Sequence, residues 1–390
     1  MTNQVTSARD SAAFGLAPKA APEARAAAQP REHVAYIEYF RAVAIIMIVS
    51  GHSFALAWSH FVDQDPHEIV ALSNIVLALI TGGTAYFVFI SGFLYRQVFY
   101  GRTSFGDFLR KKALYVGLPY LVLATPLALL GIAFGFFHVT VAKDGVAYGH
   151  SLFVDFIVLF TTGRMVTAYW YIPFIFLIFL ATPLFDRFIR LNARPRLMIL
   201  AASVALALWV HRPMDNLDPV HSFLYLTNFY LFGILFCEHR EQIMRFAIQP
   251  PVLAFLLALM LAIAAAQALI LQDVGNLERS AGDGWAPLGV DLMLAQKYVG
   301  IFFLCAALAR WGAWLGRPLA FIADHSFGLF FMHGIVIAFM MRLPASLSPH
   351  TGEPMTDLVL YSLFVLAASL AIVVVIKQIT GKYSRYVIGC

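Results

Sequence analysis

Apolar positions in this chain gather into long runs. Windows read between charged residues, prolines and glycines give ten of them: 35–59, 69–95, 113–137, 168–185, 197–210, 221–237, 250–272, 291–309, 320–341 and 356–376. A helix needs about 20 mainly apolar residues to cross a bilayer, and most of these windows approach that length. The run at 197–210 is short and is expected to extend a turn either way. The stretch 151–163 is too short to cross and reads as an outer-face interfacial or re-entrant helix. The predicted fold is therefore all-α, a polytopic membrane bundle of about ten helices over residues 34–376.

Two flanking segments complete this organisation. Residues 1–33 contain Pro18, Pro22 and Pro30 with scattered Arg and Ser and no apolar run. They are expected to form a disordered cytoplasmic tail without the apolar core of a signal peptide. Residues 377–390 read as a second cytoplasmic tail. No strong internal repeat is present, and no soluble catalytic domain is expected after the last span.

Composition excludes the main alternatives. Of 390 residues, 61% are hydrophobic and 13% charged, with 35 Phe and 6 Trp. A soluble domain carries roughly a quarter charged residues. A soluble enzyme, a disordered chain and a disulfide scaffold are excluded. Cys237, Cys305 and Cys390 show no spacing suited to a disulfide or a metal.

Charge then orients the chain. With the N-terminus inside, 20 of the 27 lysines and arginines fall on the cytoplasmic side. Five fall outside (Lys143, Arg164, Arg212, Arg279 and Arg342), while Arg41 and Lys297 lie at span ends or within spans. The asymmetry follows the positive-inside rule and predicts that both termini are cytoplasmic, as in a multi-pass protein of the cell inner membrane. The formal net charge of +5 reflects this topology, and no nucleic-acid partner is invoked.

Ionisable residues within spans are costly and mark candidate chemistry. Arg41 and His52 stand eleven positions apart in the first span. At about 100° and 1.5 Å per residue, both project from one face, about 16 Å apart along the axis. A guanidinium fork binds phosphate, and a histidine at depth can act as general base. The pair suits an elongated donor with an anionic head and a distant reactive end, the form of acyl-coenzyme A. The same residues are also compatible with an arginine that snorkels to headgroups and a histidine that bonds a neighbouring helix.

From this point the sequence resembles a known family, the membrane acyltransferase 3 family, which moves acyl groups onto surface glycans and related acceptors. The resemblance rests first on Arg41 and His52 with ten residues between them. Glu38 stands where many members carry Asp, three positions before the arginine. Further matches are Phe87–Leu94 with Ser91-Gly92, the basic run Arg110-Lys111-Lys112 before Pro119, Ala168–Pro173 with Trp170 and Tyr171, and Ala323–His333. One departure is Val116, where many members carry arginine three residues before the proline.

The resemblance implies His52 as the catalytic residue. It implies a donor site of Arg41, Glu38, Arg110, Lys111, Lys112 and Ser91, and acceptor-side residues Trp170, Tyr171 and His333. No metal or resident cofactor is expected; acetyl- or succinyl-coenzyme A enters as co-substrate. The expected partners are a glycan or glycolipid acceptor, membrane lipid and the polysaccharide synthesis or export machinery. The reaction is the transfer of an acyl group from cytoplasmic acyl-coenzyme A to a hydroxyl of an exported surface polysaccharide or its lipid-linked precursor. Direct attack and an acyl-histidine both remain open. A cation near His52 would favour a succinyl donor, whose free carboxylate needs a partner, but spacing alone places none there. The competing reading is a transporter of a glycan or lipid-linked precursor, which should show paired broken helices or an inverted repeat.

Overall fold

The computed structural model describes residues 34–58, 70–134, 152–212, 218–271, 274–276, 285, 289–343 and 351–390, and the expected tail at 1–33 lies outside them. Among the described residues all regular structure is helical. Eight helices are long and apolar enough to cross a membrane. The pair Tyr171–Leu180 and Thr182–Arg190, bent by 50°, makes a ninth if counted as one span.

Element order follows the apolar runs. α1 spans Ala35–Trp58, α2 Val70–Ile80 and α3 Thr84–Leu94, the last two broken by a turn at 81–83. α4 covers Phe105–Lys112, α5 Leu118–Phe134 and α6 Leu152–Thr162. α7 is Tyr171–Leu180, α8 Thr182–Arg190, α9 Ala193–Val210 and α10 Pro219–Ala247. α11 is Pro250–Ala265, α12 Leu292–Trp311, α13 Gly316–Met340, α14 Pro354–Thr380 and α15 Ser384–Val387. The 11-residue α6 is too short to span, and it docks through a hydrogen bond from the Tyr120 hydroxyl to the Phe160 carbonyl at 2.9 Å.

Local chemistry sets several starts. Asp218 accepts from the Val220 and His221 amides ahead of Pro219, so a cap and a proline that lacks an N–H open α10 together. Asp291 caps α12 by accepting from the Leu294 amide at 2.8 Å. At the other extreme, the apolar outer faces of α9, α11 and α14 leave Trp209, Phe255 and Phe364 exposed, as lipid-facing helices require.

α10 is the central rod, packed against α3, α7 and α9. Glycine brings α3 and α10 into backbone contact. A Cβ at Gly92 would lie 2.1 Å from the Tyr230 carbonyl oxygen, and one at Gly233 would lie 2.1 Å from that of Phe89. Gly92 thus serves helix packing, in the way small residues do between membrane helices. Around this contact Phe89, Phe93, Phe232, Phe236 and Phe302 interleave at ring separations of 5.2–6.5 Å.

α1 packs against α13 and α14. Beyond α14 the chain stays folded: Ile388 is fully buried, Tyr115 and Tyr386 pair at 5.7 Å, and Cys390 lies against Gly328. Burial holds the Cys390 thiol above its ordinary pKa, which leaves it a poor nucleophile.

Candidate functional site

α1 and α13 meet at two levels. Near the start of α1, Arg41 Nη2 lies 3.8 Å from Asp324 Oδ1, and Glu38, one turn earlier, adds a second negative charge. Eleven residues further on, His52 Nδ1 lies 3.0 Å from His333 Nε2. Both side chains of the sequence pair therefore reach α13. The two imidazole planes are within 4° of parallel, with ring centroids 5.2 Å apart.

The proton positions in this pair follow from what each partner can do. His333 Nδ1 lies 2.9 Å from the Leu329 carbonyl oxygen, which can only accept. Nδ1 of His333 therefore carries a proton, and in the neutral ring Nε2 is an acceptor. His52 Nδ1 must then donate to it, which leaves the lone pair of neutral His52 on Nε2. The chain Leu329 carbonyl, His333, His52 thus fixes one tautomer and one ring orientation, the arrangement a general base needs.

A cavity of about 330 Å³ opens beside His52. Its walls come from α1, the 81–83 break, α10 and α12, together with Trp170 and Arg212. The break matters because irregular backbone at membrane depth is tolerated where it lines a cavity. Gly82 takes φ +78°, a conformation that favours glycine, and it allows α2 to end and α3 to restart. A smaller recess, also bordered by His52 and Thr84, adds Tyr171 and Phe330.

The loop that delivers Trp170 is held tightly. Ala168 is buried in the left-handed region at φ +74°, a costly conformation for a residue with a Cβ. Tyr169 anchors the loop by donating to the Phe331 carbonyl at 3.3 Å. Gly334, next to His333, completes the fit: a Cβ there would stand 2.5 Å from the Thr167 carbonyl oxygen.

Sequence-predicted residues divide in space. His52, Trp170 and Tyr171 border the cavity or its recess, and His333 joins them only through its bond to His52. Ser91 bonds the Tyr171 hydroxyl. The basic run lies elsewhere, on α4. Arg110 and Lys111 are exposed, and Lys112 sits 4.8–5.3 Å from the ring centres of Phe179, Phe99 and Phe108. None of the three lines the cavity.

Sequence reasoning passed over Lys297, Arg212 and Tyr225, all of which line the cavity. Lys297 carried a usable signal, a lone lysine inside an apolar run. Arg212 carried none, because it reads as an ordinary loop cation after α9. Tyr225 donates to Asp291 at 2.9 Å, which ties α10 to the capped start of α12.

The apolar helices and the enclosed histidine pair define a multi-pass membrane protein with a candidate reaction site within its bundle. Comparison with protein families identifies an acyltransferase domain over residues 34–377, and the chain belongs to the acyltransferase 3 family. It is thus a membrane acyltransferase. No curated protein matches it, and no solved structure does either.

Proposed function

We propose that this chain transfers an acetyl or succinyl group from cytoplasmic acyl-coenzyme A to a hydroxyl of an exported surface polysaccharide or its lipid-linked precursor, within the cell inner membrane. The observation that carries this reading is His52 in the cavity wall, oriented by its bond to the buried His333. His52 Nε2 accepts the proton of the acceptor hydroxyl. The hydroxyl oxygen attacks the thioester carbonyl, the C–O ester bond forms and the C–S bond breaks. The proton then passes from His52 to the leaving coenzyme thiolate. His333 is a positioning residue: it holds His52 in the reactive tautomer and stabilises the imidazolium that forms.

Arg41 is suited to the donor's phosphates, about 16 Å from His52 along α1, with the pantetheine arm between them. Trp170 and Tyr171 suit the sugar side, since both border space shared with His52. Membrane placement in this reading has ten crossings. Eight spans become ten when the bent α7–α8 pair counts as one and the 49-residue run Leu292–Met340 is divided at the tight turn Gly312–Leu315. A straight helix of that length would be about 73 Å long, over twice the hydrocarbon thickness. An even count puts both termini on one side, and the lysine and arginine distribution makes that side the cytoplasmic one in this reading.

The test is mass analysis of the cell's surface glycan, with coenzyme A release measured on the protein in nanodiscs. His52→Ala should lower acyl transfer by about 10²-fold or more while the protein still accumulates in the membrane. Unchanged acylation by that variant would refute the role of His52.

A further inference from the structure

We propose that the cavity beside His52 seats a carboxylate at the far end of the acyl group. The donor is then the thioester of a dicarboxylic acid, of the succinyl type, with Lys297 as counter-ion. This rests on the acyl-transfer reading above.

Lys297 is the starting point. It is 1% exposed, and its ammonium lies 3.0 Å from the Leu79 carbonyl oxygen and 3.4 Å from that of Ala78. Those carbonyls end α2, where the helix dipole is negative, so they account for two of its three donors. The Tyr86 ring, its centre 5.4 Å from the ammonium, faces it as well, and neither the carbonyls nor the ring supplies a full negative charge. Among the described residues no carboxylate is ion-paired with Lys297. Asp291, the acid at the start of the same helix, is already engaged by the Leu294 amide and the Tyr225 hydroxyl. A buried ammonium without a counter-charge is costly, and an anionic ligand would remove the cost.

A lysine that only capped α2 would explain those two bonds. It would not account for the rest of the wall, where a second cation, Arg212, which also reaches the Gly275 carbonyl oxygen at 3.4 Å, adds to the positive potential of the same cavity. The first turn of α3 adds to the same potential. Thr84 and Ala85 line the cavity at the positive end of that helix. Gly82 lets the lysine stem pack close to the break: a Cβ there would lie 2.8 Å from Met293 Sδ and 3.0 Å from Lys297 Cε. Two cations and one helix start thus converge on one space.

Size and order select the acyl group as the source of the carboxylate. A volume of about 330 Å³ is at the low end for small-molecule sites and is ample for a short acyl chain. If the coenzyme arm fills the distance from Arg41 to His52, the group beyond the thioester enters the space beside His52. The transfer keeps the balance given above. The distal carboxylate stays ionised throughout and is carried intact to the product ester.

The experiment compares succinyl-coenzyme A with butyryl-coenzyme A, a neutral donor of equal chain length, on the full chain in nanodiscs. Wild type should favour succinyl. Lys297→Met should lower the succinyl-to-butyryl ratio of kcat/KM by about ten- to a hundredfold, and Lys297→Arg should recover part of it. Should Lys297→Met not accumulate, the wild-type protein alone decides: succinyl-coenzyme A should raise Tm more than butyryl-coenzyme A at equal concentration. Equal use of both donors by wild type, or a ratio that Lys297→Met leaves unchanged, overturns the proposal while acyl transfer stands. So does a Lys297 dependence that follows an acidic against a neutral oligosaccharide acceptor with acetyl-coenzyme A, because the carboxylate then belongs to the acceptor. Failure of wild type to discharge any of the donors overturns the acyl-transfer reading and this one with it.

Discussion

The two levels at which α1 meets α13 are built from opposite physics. At the lower one, Arg41 and Asp324 approach to 3.8 Å with side chains 33% and 68% exposed. Such a pair is screened, loosely held and worth at most about 1 kcal/mol. At the upper one, His333 is fully buried and His52 half-buried, and a 3.0 Å bond backed by a carbonyl leaves each ring one protonation pattern. The contrast teaches a division of labour on one helix face. The exposed end can exchange its partner for a phosphate at little cost. The buried end cannot rearrange, which is what proton transfer at a fixed atom needs.

The comparison breaks first at the upper level. His333→Ala removes the acceptor that holds His52 Nδ1–H, so His52 can take the wrong tautomer or rotate. kcat should fall by about 10²-fold, with KM for acyl-coenzyme A nearly unchanged. His333→Gln offers a side-chain oxygen to the same proton and should recover part of kcat. If His333→Ala raised KM and spared kcat, His333 would be a binding group and the relay would be wrong. At the lower level the split should reverse. Arg41→Ala should raise KM for acyl-coenzyme A about tenfold with kcat kept, and high salt should narrow the difference from wild type.

These two levels also mark what the sequence could reveal. The spacing of eleven put Arg41 and His52 on one face, because helix geometry is local and periodic. That His333 would receive the Nδ1 proton of His52 was not legible, since the contact joins residues 281 positions apart. Only the depth of His333 in its own apolar run hinted at it. The basic run 110–112 shows the opposite error of emphasis. Its charges are conspicuous in sequence, yet Lys112 is spent on three aromatic rings and its neighbours face out. Lys297, a single cation in an apolar window, sits in the cavity wall. The apolar run 69–95 likewise reads as one continuous span, yet the helix breaks at Thr81-Gly82-Gly83, and the paired glycine is the one local mark of that kink.

The smallest effect is the most discriminating, because two accounts of Asp324 differ in sign. If its carboxylate orients Arg41 for the donor, Asp324→Asn should raise KM for acyl-coenzyme A. If it merely occupies Arg41 until phosphate arrives, removing its charge frees the guanidinium and lowers KM. The geometry favours the second account. At 3.8 Å with one member largely exposed, the pair is too loose to fix a side chain, while a full negative charge beside an incoming phosphate repels it. Asp324→Asn should therefore lower KM about two- to threefold, with kcat unchanged and the gain fading as ionic strength rises. A rise in KM would make Asp324 part of the donor site, and the exposed end of α1 would then be as preorganised as the buried one.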